Sequence, residues 1–146
     1  MRTRPIAPPR WYWLAASLAL LWMLFGVFAL AMDAMMDEAA MAQLSEGQRQ
    51  LYAERPQWLF VVYAVAIGSG LAGAIGLLLR RAWAVPALML SLLAVLVQFG
   101  YIFGVMDAIA RLGGAAAAVP FPLTIIVAGM LALWLGLHAR GRGWLA

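Results

Sequence analysis

Residues 58–106 read WLFVVYAVAIGSGLAGAIGLLLRRAWAVPALMLSLLAVLVQFGYIFGVM. Two apolar runs, Trp58–Leu79 and Trp83–Met106, are parted only by Arg80, Arg81 and Ala82, and neither contains Asp, Glu, Lys or Arg. A helix needs about 20 such residues to cross the hydrocarbon of a bilayer. So short a connection makes the two helices antiparallel neighbours. A lipid-embedded helical hairpin is therefore the nucleus of the fold.

Working outward, Trp11–Met32 precedes this hairpin and Val119–His138 follows it, each again free of Asp, Glu, Lys and Arg. A membrane barrel would instead show alternating strands of about ten residues. The prediction is an all-α integral membrane protein, an antiparallel four-helix bundle forming one domain over residues 1–146. Composition agrees: 66% of the residues are hydrophobic and 11% charged, against about 45–50% and about 25% in soluble domains. A chain of this size could not hide that excess from water.

All ten basic side chains are arginines. The sequence pI of 10.4 raises the question of a nucleic-acid partner. Position answers it, because the arginines flank the apolar runs and form no patch. Seven (Arg2, Arg4, Arg10, Arg80, Arg81, Arg140 and Arg142) fall on one side of the predicted membrane. Arg49, Arg55 and Arg111 fall on the other, with all six acids: Asp33, Asp37, Glu38, Glu46, Glu54 and Asp107. The positive-inside rule then places both termini in the cytoplasm. Trp11, Trp13, Trp83 and Trp144 near that face, with Tyr52 and Trp58 near the other, fit the interfacial preference of such rings. The first run is too long for the core of a cleaved signal peptide, so it is read as a span.

The outer loop, residues 33–57, carries Met41, Leu44, Gln48, Leu51 and Tyr52 at helical spacing, and Ser45 with Gln48 makes a capping-box pattern. One or two short amphipathic helices over the outer mouth are expected there, with a solvated connector as the alternative. Residues 107–118 are expected to prolong a helix and then break at Gly113 and Gly114. In the second span Ser69, Gly70, Gly73 and Gly76 form a small-residue face suited to close helix approach, within the chain or in a homo-oligomer.

The chain also echoes itself. Ser17-Leu18, Phe25-Gly26 and Met32-Asp33-Ala34 recur 74 residues later as Ser91-Leu92, Phe99-Gly100 and Met106-Asp107-Ala108. With Pro56 opening the second span and Pro120 the fourth, this pattern suggests a tandem repeat of two helical hairpins. Asp33 and Asp107 then occupy equivalent outer positions. They are either interfacial residues that end their helices or two acids guarding an outer vestibule.

The chemistry on offer is narrow. With no cysteine there is no disulfide, thiolate ligand or cysteine nucleophile. The single histidine, His138, is expected to be solvated, and it cannot build a bis-histidine haem site or a zinc site. No catalytic set assembles, and no enzyme activity, metal or cofactor is expected. What remains is a neutral polar set in the spans: Trp22, Tyr63, Ser91, Gln98 and Tyr101. Gln98 is either interhelical glue or part of a pocket for an uncharged polar molecule.

The stretches Leu51-Tyr52-Ala53-Glu54-Arg55-Pro56-Gln57-Trp58, Leu79-Arg80-Arg81-Ala82-Trp83-Ala84-Val85-Pro86 and Val97-Gln98, with Leu21-Trp22 and Gly26, carry a resemblance. From about Pro9 to Arg140 the chain resembles small bacterial four-span membrane proteins commonly labelled sugar transporters. Met23 stands where such proteins often have an asparagine. The resemblance implies the bacterial inner membrane and carriage of a neutral solute such as a sugar. The other function class is a non-enzymatic accessory or scaffold subunit, docked on a larger membrane complex through the glycine face and outer loop.

Overall fold

The computed structural model describes residues 6–146, so Arg2 and Arg4 lie outside the described residues. The described chain is all-helical. Four long helices, α1 (Arg10–Ala34), α4 (Gln57–Leu78), α5 (Ala84–Gly104) and α8 (Pro120–Gly141), are each long and apolar enough to cross a membrane. Four short ones sit in the loops: α2 (Glu38–Ala42), α3 (Glu46–Glu54), α6 (Ala108–Arg111) and α7 (Ala115–Ala118). The long helices match the four apolar runs to within about three residues at each end, the precision expected of helix boundaries.

Large apolar side chains cover the outside of these helices. Leu14, Leu21, Phe28, Leu131 and Phe121 are all exposed. In water such a surface would be ruinous, and in lipid it is the ordinary outward face. The interior is made instead from small residues. On α4, a Cβ added to Gly73 would lie 2.6 Å from Cγ of Leu88, and one on Gly76 would lie 2.8 Å from Cβ of Ala84. Both distances are below normal contact, so only glycine lets α5 approach this closely. Gly70 serves two neighbours, α1 through Met23 and α5 through Ser91. The close face thus runs Gly70–Gly73–Gly76, while Ser69 donates back to the Val65 carbonyl of its own helix.

Packing is unequal around the four helices. α4 and α5 share the most extensive interface, and α1–α4 and α5–α8 come next at similar extent. α1 and α8 barely touch. Where they do meet, one core closes the structure: Tyr12, Ala16, Leu77, Val85, Leu88, Leu135 and Trp144 are all buried.

That end holds the start of α1, the α4–α5 turn and the end of α8. Tyr12 donates its hydroxyl to the Leu77 carbonyl, and Ile6 N–H donates to Gly143 O at 2.8 Å. Arg80, in a left-handed conformation (φ 56°), donates from its guanidinium to the carbonyls of Trp144 (2.9 Å) and Ile6 (2.6 Å). The turn is therefore laced to both flanking segments by backbone acceptors. Trp144, expected at an interface, is buried there and packs edge-on against Trp11 and Tyr12. His138 is half-buried and stacks on Trp134 at 5.0 Å, a departure from the solvated position expected of it.

At the opposite end both loops fold into a cap. The capping box of Ser45 and Gln48 opens α3 as its sequence pattern predicted. Residues 107–118 break at Gly113 and Gly114 as expected, but they do not prolong a helix. α5 stops at Gly104, and Asp107 takes a left-handed conformation (φ 52°) that a continuing helix cannot accommodate. Gly113 and Gly114, at φ 90° and 111°, then part α6 from α7. α3 lies on α6 so tightly that the Arg111 carbonyl leaves no room for a Cβ on Gly47. Arg111 also pairs with Glu54.

Candidate functional site: an interhelical cavity beneath the loop cap

The five residues proposed from the sequence separate into three groups. Trp22 of α1, Tyr63 of α4 and Gln98 of α5 line one cavity of about 110 Å³, which Phe121 and Ile125 of α8 complete. All four long helices contribute to it. Ser91 does not line it: its hydroxyl donates to the Ala66 carbonyl at 2.7 Å, buried between α5 and α4. Tyr101 stands apart as well, edge-on to Trp58 at 4.9 Å.

The polar groups of the cavity carry the chemistry. Among the described residues, neither the Gln98 amide nor the Tyr63 hydroxyl has a side-chain hydrogen-bond partner, whereas the hydroxyls of Tyr12 and Ser91 do. Gln98 and Tyr63 are both partly exposed and neither buries an unsatisfied polar atom, so their amide and hydroxyl are open to a guest offering a donor and an acceptor. Trp22 supplies a flat apolar wall, and the remaining lining is Met, Phe, Ala, Val and Ile.

Above this cavity, on the side of the cap, is a second space of about 320 Å³, lined by Gln48, Tyr52 and Arg55 with Phe99, Phe103 and Met106. Phe99 is a wall of both spaces. Below the cavity, the buried core of Tyr12, Leu77, Val85 and Leu88 closes the structure. The arrangement is two adjoining spaces that share Phe99, with the buried core at the far end.

The two acids expected to guard the vestibule part company. Asp33 accepts both guanidinium donors of Arg55 at 2.8 Å and the Tyr52 hydroxyl at 2.6 Å. Arg55 also lies over the Tyr52 ring at 4.5 Å. Bidentate pairing with Asp33 raises the Arg55 guanidinium further above its ordinary value. Burial, then the bond to Asp33, pushes the Tyr52 phenol up. Asp107 is exposed and makes no side-chain bond among the described residues, and its neighbours Met106 and Ala108 rather than Asp107 line the vestibule.

Arg55, Tyr52 and Phe99 were not marked as site residues by the sequence. Asp33 and Arg55 lie 22 positions apart across a loop that holds α2 and α3, and no local periodicity joins them. The available hint was the position of Arg55 on the arginine-poor side.

The fold is that of an all-helical, multi-pass membrane protein, with four helices long and apolar enough to span a bilayer. No family model, curated protein or solved structure matches the chain.

Proposed function

We propose that this protein is a carrier for a small uncharged polar solute. The reading rests on one observation: Gln98 and Tyr63 present unpartnered polar groups to a cavity walled by all four long helices. A carboxylate or ammonium guest would find no opposite charge there. A hydroxylated, neutral one would find an amide, a phenol and an indole face, the mix of few polar groups on apolar walls that small-molecule sites use.

Size sets a condition on this reading. The chamber has the volume of only about three or four liquid waters, while ligand pockets run from about 300 Å³ upward. The vestibule lies in that range. A sugar-sized solute would therefore rest first in the vestibule and enter the chamber only as Phe99 and the helices around it move. On this proposal the four helices stand alternately up and down, with both termini in the cytoplasm of a bacterium and the vestibule facing outward. The resemblance to bacterial proteins labelled sugar transporters points to the same solute class.

The alternative of an accessory or scaffold subunit relied on the glycine face of α4 and the outer loop as docking surfaces, of which the glycine face is not free. Gly70, Gly73 and Gly76 are spent within the chain, against α1 and α5. That leaves the carrier reading ahead.

A thermal-shift screen of the purified protein in nanodiscs, against neutral sugars and other uncharged polar metabolites, tests it. A compound that stabilises the wild type and fails with Gln98→Leu supports a solute site at Gln98. If no compound stabilises the wild type, the carrier reading falls.

A further inference from the structure

Because α1 and α8 meet only near the sealed end, a crevice of about 370 Å³ opens between them along the outside of the bundle. Its walls are Leu18 and Trp22 on α1 and Leu131 and Trp134 on α8, and its floor is small, with Ala15 and Ala128. The crevice is shaped for an extended apolar chain. It ends at Trp11 and Trp134, beside the aromatic cluster in which His138 stacks on Trp134, lies tilted to Trp11 and meets Trp144 edge-on.

Charge decides what chain belongs there. Arg10 is the first residue of α1, next to Trp11, and Arg142 continues the α8 stripe Leu131–Leu135–His138. Arg10, Arg140 and Arg142 are all exposed. Every acidic side chain of the sequence lies at the other end of the molecule or in its cap. Hence no carboxylate side chain balances these arginines. Among the described residues no side chain caps the N-terminus of α1, and the N–H end of a helix favours an anion as well. His138 and Arg140 in the last turn of α8 offset the carbonyl end of that helix.

We propose that the α1–α8 crevice binds an anionic phospholipid. One acyl chain fills the crevice, and the phosphate sits at the mouth formed by Arg10, His138 and Arg142. Basic pockets between membrane helices hold anionic headgroups in this way. The proposal is independent of the solute chamber, from which Trp22 and Met23 divide the crevice.

Native mass spectrometry of the purified full chain in detergent tests it, with three probes: phosphatidylglycerol, phosphatidylcholine with identical acyl chains, and glycerol 3-phosphate. Phosphatidylglycerol should persist as a one-to-one adduct, phosphatidylcholine should be shed more readily, and the headgroup alone should not bind. Arg10→Gln and Arg142→Gln should each weaken retention about fivefold, the factor one arginine is worth at an anionic surface. Ala128→Phe, which fills the crevice and leaves every arginine in place, should lose the adduct too. Equal retention of the two lipids, or an adduct that survives both the arginine changes and Ala128→Phe, would overturn the proposal. So would a dimer that phosphatidylglycerol does not displace, since a second copy would then be the occupant.

Discussion

The Ser91 hydroxyl donates to the Ala66 carbonyl across 2.7 Å, and this buried bond joins α5 to α4 one helical turn from where Gly70 lets them touch. Such bonds between membrane helices contribute about 0.5–2 kcal/mol. Ser91→Ala is therefore expected to lower stability by that amount. Gln98→Leu, which strands no protein partner, is expected to be nearly neutral. Unfolding of both variants in mixed detergent micelles checks the ranking. A Gln98→Leu loss larger than that of Ser91→Ala would mean that the amide holds the bundle together after all.

Gly73 and Gly68 make a matched pair of controls on the same helix. Gly73 faces Leu88 at a distance that no side chain tolerates, while a Cβ on Gly68 would meet nothing within 4 Å. Gly73→Leu should force α4 and α5 apart and cost about 1–3 kcal/mol or more. Gly68→Leu should leave the thermal midpoint in detergent close to that of the wild type. Equal effects would show that α4 does not present Gly73 to α5.

Tyr52 gives the cap a pH dependence of known sign. Its folded-state value is raised above the ordinary tyrosine value of about 10. The stabilising contribution is therefore complete below about pH 10 and is lost as pH rises through the folded value. Wild type should lose stability in alkaline solution to a greater degree than Tyr52→Phe, and the two curves should run parallel at neutral pH. A Tyr52→Phe curve that falls just as steeply would refute the assignment.

The proposed orientation predicts reporter behaviour. A reporter active only outside the cytoplasm should be silent when fused after Ala146 and active when inserted after Gln43, in the turn between α2 and α3. The reverse pattern would invert the vestibule.

Four long helices were legible because lipid imposes one requirement on every span, an unbroken apolar run, and the sequence states it four times. The Ser45 capping box was legible because its donors and acceptors lie three residues apart. The early stop of α5 was not, since a left-handed Asp107 is a property of backbone geometry that a Gly- and Ala-rich segment does not announce. Of the site, Trp22, Tyr63 and Gln98 could be found as the few polar or amphipathic side chains away from the interfaces. Tyr101 shared the helical phase of Gln98 but lies a turn nearer the cap, where Trp58 claims it. The pairing of Asp33 with Arg55 depends on how a long loop closes, which periodicity does not encode.

The uneven helix contacts also bear on how the chain assembles. The α4–α5 interface is the largest, and its two halves are joined by the shortest turn, so it can form as soon as both have been made, with little loop entropy to overcome. α1 is synthesised before either, yet its main partner is α4. Of these four long helices the earliest made therefore has its largest contact deferred until a later part of the chain arrives, and α8 adds its share of the floor after the other three.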